Sequence, residues 1–198
     1  MSYRPGVCNF CGTGCGHWLD VKDGRIRGVY ASPEHPVGRG RLCVRGWHLH
    51  ELLSSEERIA HPLIRRNGRL EAAGWSEALD FAAARLSAFP GAGVGFLASP
   101  RSSNESVYSL VRLARSVVGS PNIDLLSAAG HRASVDVLLE GAGWPAMPAS
   151  LADIRGADFI FILGTDLTRQ NPIIASDILF AARAGADVVV LAPRRTQM

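Results

Sequence analysis

The sequence predicts an α/β protein: a small β-rich N-terminal module followed by a partial, doubly wound parallel sheet. Two observations carry this reading. All four cysteines sit near the N-terminus, as Cys8, Cys11, Cys15 and Cys43, in the pattern C-x2-C-x3-C-x27-C. Far downstream, Phe159-Ile160-Phe161-Ile162-Leu163 and Val188-Val189-Val190-Leu191 are unbroken apolar runs. Runs of that kind are expected of parallel strands covered on both faces.

In chain order, residues 1–57 form the cysteine-bearing module, 58–74 a hairpin connection and 75–198 the α/β domain. Gly16 to Val21 and Arg25 to Tyr30 flank Asp23-Gly24, a tight-hairpin signal. Pro33 to Gly40 is Pro/Gly-rich and irregular, and it delivers Cys43. Asn67-Gly68, between Pro62-Leu63-Ile64 and Leu70-Glu71, predicts a second hairpin. From Trp75 the pattern turns to alternating helices and strands. Ser76 is read as the N-cap of a helix over Glu77 to Ala88, with Ala78, Leu79, Ala82, Ala83 and Leu86 at helical spacing. Gly93 to Ala98 is a short strand, and Ser103-Asn104-Glu105 opens another helix. Pro172 to Ala184, with Gly185 past its end, is a helix between the two apolar runs. Strand, helix and strand make a βαβ unit, so the domain is expected to be Rossmann-like.

The cysteine spacing points to metal. Three thiols from one tight loop, joined by a fourth returning from a distance, suit an iron–sulfur cubane, where each sulfur takes its own iron corner. Cys8, Cys11, Cys15 and Cys43 are therefore the candidate ligands of a [4Fe-4S] cluster. Two other readings stand beside it: a zinc site, although zinc prefers two separated C-x2-C knuckles, or buried cysteines with no ligand role.

Composition sets bounds on the rest. With 198 residues, 47% apolar and 20% charged, the chain can bury a core. A net charge of +3 is too mild to imply nucleic acid, and no stretch approaches the roughly 18 apolar residues of a membrane span. The N-terminus runs directly into the cysteine loop, which leaves no room for a leader and sets the expectation of a cytoplasmic, thiol-reducing location.

The ordered motifs extend further. The loop Cys8-Asn9-Phe10-Cys11-Gly12-Thr13-Gly14-Cys15-Gly16 is followed by His35-Pro36-Val37 and Gly40-Arg41-Leu42-Cys43. Next come His61-Pro62-Leu63-Ile64-Arg65, Gly74-Trp75-Ser76-Glu77-Ala78-Leu79, Ser103-Asn104-Glu105 and Pro193-Arg194-Arg195-Thr196. This series resembles the N-terminal third of the molybdenum/tungsten bis-pterin oxidoreductases, particularly formate dehydrogenase α subunits. The resemblance implies a [4Fe-4S] domain followed by the start of a domain that helps bind pterin guanine dinucleotide.

Departures from the family pattern shape the functional expectation. Where those dehydrogenases place a cysteine or selenocysteine before a histidine, this chain has Gly130-His131, and no cysteine follows Cys43. Ser127 and Ser134 lie near and keep a hydroxyl ligand open. The family's Asp-Pro-Arg-Arg is Ala192-Pro193-Arg194-Arg195, and its Gly-x-Asn-Pro is Gly164-Thr165-Asp166-Leu167. The domains that close over the pterins in the family are not in this sequence. Bound molybdopterin guanine dinucleotide is accordingly not expected, and no catalytic residue is assigned.

The expected role is an iron–sulfur electron-transfer subunit of a larger redox complex. Family habits suggest flavin- or NAD(P)-linked dehydrogenases, hydrogenases or electron-bifurcating assemblies as partners. The alternatives are the N-terminal part of a split molybdenum or tungsten enzyme, and a zinc-bound structural or assembly protein. Arg45, at the family's usual lysine position between cluster and pterin, reads either as a tuning cation or as a plain surface arginine. His48 and His50 are read as surface or satisfied histidines, and His131 as a relic with at most a hydrogen-bonding role. Trp18, Trp47, Trp75 and Trp144 are read as packing anchors. Gly91, Gly93 and Gly95 do not make a nucleotide loop.

Overall fold

The fold is that of a computed structural model, which describes residues 2–198. In chain order it contains β1 (Ser2–Val7), β2 (Gly16–Lys22), β3 (Arg25–Ala31), α1 (Val44–Trp47) and α2 (Glu51–Ser54). These are followed by β4 (Leu63–Arg66), β5 (Arg69–Ala72), α3 (Trp75–Ser87), β6 (Gly95–Ala98) and α4 (Asn104–Arg112). The last elements are β7 (Asn122–Leu125), α5 (Ala128–Ala142), β8 (Phe159–Leu163), α6 (Leu167–Gln170), α7 (Pro172–Arg183) and β9 (Asp187–Leu191). By contacts the chain forms two compact units, residues 1–56 with 147–198, and residues 57–146.

In the first unit, β1, β2 and β3 form an antiparallel sheet with β2 at its centre. Asp23 (φ 52°) and Gly24 (φ 71°) both take the left-handed conformation that a two-residue hairpin turn requires, as their sequence predicts. β1 has no sequence signal of its own, because Pro5 lies within it. It is an edge strand, where a missing N–H costs no ladder bond. Its pairing with β2 ends at Val7–Gly16. The Cys8 N–H then donates to the Cys15 carbonyl at 2.8 Å, so residues 8–15 form the loop of the β1–β2 hairpin.

The same unit contains the βαβ segment. β8 and β9 pair in parallel from Phe159–Asp187 to Leu163–Leu191, with α7 as the crossover. Pro172 opens α7 at its first turn, and Gly185, at φ 112°, follows its end. Ile173, Ala175, Ile178 and Ala181 are its buried apolar residues. The expectation that both faces of this strand pair are covered is corrected here. Ile162 is buried, but Phe159, Phe161 and Leu163 on the opposite face are 60%, 54% and 65% exposed. Val189 and Leu191 of β9 are exposed as well. An unbroken apolar run identifies the strand without showing that both its faces are filled.

The second unit opens with the β4–β5 hairpin, whose turn residues Asn67 and Gly68 again take positive φ. α3 begins earlier than expected, with Gly74 rather than Ser76 as N-cap. Ser103 does cap α4, accepting a hydrogen bond from the Ser106 N–H. α4 runs into a π-helical turn over 113–118 that Gly119 ends at φ 71°. β6 and β7 pair in parallel. Each parallel pair is two-stranded among the described residues, so the partial doubly wound arrangement is present as two short parallel pairs, one in each unit.

Ser120 joins the start of β7 to the segment before β6. Its hydroxyl donates to the Val94 carbonyl at 2.5 Å and accepts from the Asn122 N–H at 3.1 Å, and the residue is only 1% exposed. Removing the hydroxyl leaves the Asn122 N–H without this acceptor and the Val94 carbonyl with the longer 3.5 Å bond from Asn122 Nδ2. Ser120→Ala should lower the unfolding free energy by about 1–3 kcal/mol. In urea denaturation this appears as a lower midpoint at unchanged slope.

Candidate metal centre

The hairpin loop and the Cys43 arm meet in one place. Cys8 and Cys15, at the two ends of the loop, are buried in a core cluster with Val29, Leu42 and Ile173. Cys11 and Cys43 are half-buried, and all four thiols are free of disulfides. Cys43 is returned by backbone hydrogen bonds: Ser32 N–H to the Gly16 carbonyl, Gly40 N–H to the Ser32 carbonyl and Arg41 N–H to the Gly38 carbonyl. It then caps α1, where the Gly46 and Trp47 N–H groups donate to its carbonyl.

Close approach in this turn depends on missing side chains. A Cβ on Gly16 would stand 2.1 Å from the His35 ring, and one on Gly38 would stand 2.8 Å from the Arg41 carbonyl oxygen and 3.4 Å from the Cys15 Cβ.

The four sulfurs lie within one another's fields. Burial pushes the Cys15 thiol up to about 11, and the charges of Cys11, Cys8 and Cys43 push in the same direction against the pull of Arg41. Burial also raises Cys8, with Cys11 and Cys43 adding to it. For Cys43, burial acts upward but is outweighed by hydrogen bonds from the Gly46 backbone and from Arg45, and the net direction is downward. Thiolate charge at Cys8 and Cys15 is therefore disfavoured without a cationic partner beside it. No three His, Cys, Asp or Glu side chains among the described residues converge as ligands of a single ion would. Thiolate sulfur is a donor that both an iron–sulfur cubane and a zinc ion accept, and Cys8, Cys11, Cys15 and Cys43 are the thiols that would supply it here.

Several residues outside the cysteine pattern support this site. The Cys11 thiol donates to Thr13 Oγ1 at 3.4 Å, and the same oxygen accepts from Asn171 Nδ2, at the start of α7, at 3.0 Å. Asp177, with its side chain 8% exposed, binds Arg41 in a bidentate pair at 2.7 and 3.0 Å and accepts from Arg155 Nε at 2.6 Å. Burial alone would raise the Asp177 carboxyl, but the two guanidinium groups hold it below the ordinary range. His17, directly after Gly16, is buried with its Nδ1 unpartnered among the described residues; burial and the neighbouring His35 disfavour its charged form. The available signal was the break in the apolar face of α7, where Asp177 stands one turn after Ile173 and one before Ala181.

Arg45 is not a plain surface arginine: its guanidinium lies 4.5 Å over the Phe10 ring and donates to the Gln170 carbonyl at 3.1 Å. His48 pairs with Glu51 on the surface, whereas the expectation for His50 is corrected, its Nδ1 being buried without a hydrogen-bond partner among the described residues. Gly130-His131 lies in α5 with open space around Gly130. Asp166 is occupied locally, accepting from Thr168 Oγ1 at 2.5 Å beside Arg169. The packing-anchor reading is corrected for Trp47, Trp75 and Trp144, which are 41%, 69% and 64% exposed. Gly38→Ala should destabilise the fold by about 1–3 kcal/mol through overpacking against backbone. It should also reduce the iron retained per chain, read by iron assay after anaerobic reconstitution.

Two family models and several known proteins match this chain. Residues 1–55 match the Molybdopterin oxidoreductase Fe4S4 domain and residues 58–198 match Molybdopterin oxidoreductase. The F420-dependent formate dehydrogenase 1 subunit alpha of Methanococcus maripaludis is 39% identical over 190 residues, covering 96% of this chain and 28% of that protein. Formate dehydrogenase H of Escherichia coli is 32% identical, with the same two coverages. An NADH-quinone oxidoreductase subunit of Rhizobium meliloti is 35% identical over 177 residues, covering 89% of this chain and 20% of that protein. The chain thus spans little more than a quarter of the formate dehydrogenases it matches. With an Fe4S4 domain at its N-terminus and the oxidoreductase domain matched over the remainder, the chain belongs to the molybdopterin oxidoreductase family.

Proposed function

We propose that Cys8, Cys11, Cys15 and Cys43 hold a [4Fe-4S] cluster and that the chain serves as an electron-transfer element of a multi-subunit redox assembly. The carrying observation is that four free thiols, three from one hairpin loop and one from the returning arm, lie close enough to act on one another's charge. A cluster held there supplies a one-electron couple. The chain's own residues bury two of the four sulfurs, restrict water around them and bring the cations Arg41 and Arg45 to offset thiolate charge. Arg45, stacked on Phe10 between Cys8 and Cys11, adds a positive group to the edge of the site.

Relatives named as subunits of formate dehydrogenase and of NADH-quinone oxidoreductase support a place in such an assembly. So does the exposed apolar face of β8 and β9, a surface suited to burial against further protein. No helix among the described residues is long and apolar enough to cross a membrane. Free thiols suit a reducing, cytoplasmic compartment.

A pterin-free role is favoured by three positions. Gly130 has no side chain to offer a metal, Ala192 lacks the family's carboxylate, and the Asp166 carboxylate is engaged by Thr168 and stands where a phosphate would approach. The second reading, part of a molybdenum or tungsten bis-pterin enzyme, is favoured by the match of residues 58–198 to the oxidoreductase domain.

Anaerobic purification of the chain with its co-purifying partners, followed by metal analysis and dye-coupled reduction, separates the readings. About four irons per chain, without molybdenum or tungsten, is expected for the electron carrier. Cys11→Ser should abolish or convert the cluster signal and stop electron flow through the assembly. An unchanged cluster spectrum with full electron flow would overturn the ligand assignment. Stoichiometric molybdenum or tungsten bound to this chain would establish the enzyme reading instead.

A further inference from the structure

We infer that Asp177, on α7, is a positioning residue for the iron–sulfur site: by fixing Arg41 against the Cys15 loop it sets the local charge around the cluster ligands. This inference rests on the proposal that the four cysteines hold the cluster. Arg41 lies two residues before Cys43, and its side chain folds back so that its Nε donates to the Gly38 carbonyl at 3.2 Å. Gly38 in turn packs against Cys15, close enough that a Cβ there would stand 3.4 Å from the Cys15 Cβ. Arg41 is therefore held beside Cys15 from one side by its own turn and from the other by the bidentate Asp177 carboxylate.

The carboxylate has more than one task. Arg155, which lies 4.6 Å over the Phe180 ring, reaches the same Asp177 oxygen, so one buried negative charge stands between two cations. The trio carries one net positive charge. Neutralising Asp177 leaves two cations to bias the site, and neutralising Arg41 leaves a balanced Asp177–Arg155 pair. Cluster potential follows net charge and solvent exposure, so these two changes should move it in opposite directions. A bridge that only held the fold together would admit water in either variant and move the potential the same way in both.

A second contact binds the same helix to the other arm of the site. Asn171, just before Pro172, donates to Thr13, which accepts from Cys11. Ile173, two residues later, packs among Cys8, Cys15, Val29 and Leu42. α7 thus touches both the hairpin loop and the Cys43 arm, with Asp177 as its charged contact.

The test is a redox titration, followed by electron paramagnetic resonance, of the full chain reconstituted anaerobically with iron and sulfide. Wild-type protein that fails to hold about four irons overturns the cluster assignment itself, independently of Asp177. With the cluster present, Asp177→Asn should raise the midpoint potential and Arg41→Gln should lower it. Iron release to a chelator should be about tenfold faster in Asp177→Asn, the scale of losing an outer-shell contact. Shifts of the same sign in both variants, or unchanged potentials, overturn the inference. Should Asp177→Asn not load, Arg41→Gln decides alone: a lowered potential supports the inference, and a raised or unchanged one overturns it.

Discussion

The buried carboxylate of Asp177, shared between Arg41 and Arg155, is the interaction on which the order of this site depends. A buried charge is costly unless it is paired and hydrogen-bonded, and here three hydrogen bonds from two guanidinium groups satisfy it. Their geometry leaves little freedom to the turn over 38–43. A bidentate pair fixes the plane of the Arg41 guanidinium, and its Nε bond to the Gly38 carbonyl ties the side chain back to its own turn. The hairpin that carries the other three cysteines is fixed by different means, its strand register and the Cys8–Cys15 backbone bond. Two independent constraints therefore act on the cysteine-bearing segments, and α7 contacts both.

This arrangement explains why contacts group residues 147–198 with the N-terminal region, although some 90 residues of chain intervene. The Fe4S4 domain match ends at residue 55, yet Ile173 belongs to the same core cluster as Cys8 and Cys15. Sequence order and the physical unit differ here. The half-covered β8–β9 pair follows from the same layout: α7 fills one face, and Phe159, Phe161 and Leu163 remain on the other. Leaving that much apolar surface in water is unfavourable by roughly 25 cal/mol per Å², which favours its burial against more protein.

Much of this was legible from residue order. The Asp23-Gly24 and Asn67-Gly68 turns, the apolar runs of β8 and β9, the proline at the start of α7 and the cysteine spacing are local signals with local causes. β1 was hidden by Pro5, whose effect depends on whether the strand lies at an edge. β7 is four residues long with Asp124 inside it, and α5 contains Gly130 and Gly141, so neither presents a clear period. Asp177 was hidden for a different reason: its partner Arg41 is 136 residues away. Periodicity shows that a helix has a buried face, but not which distant cation makes a carboxylate acceptable there. The exposed Trp75 and Trp144 show the converse limit, since residue type suggested burial that the fold does not supply.

Hydrogen exchange of the full chain, with and without the reconstituted cluster, tests most directly whether α7 is part of the metal centre. Loading should protect the amides of the 8–16 loop, the 43–47 segment and the first turns of α7 together, while α3 in the other unit stays unchanged. Protection confined to the first 56 residues, with α7 exchanging at the same rate in both states, would contradict the coupling of this helix to the four thiols.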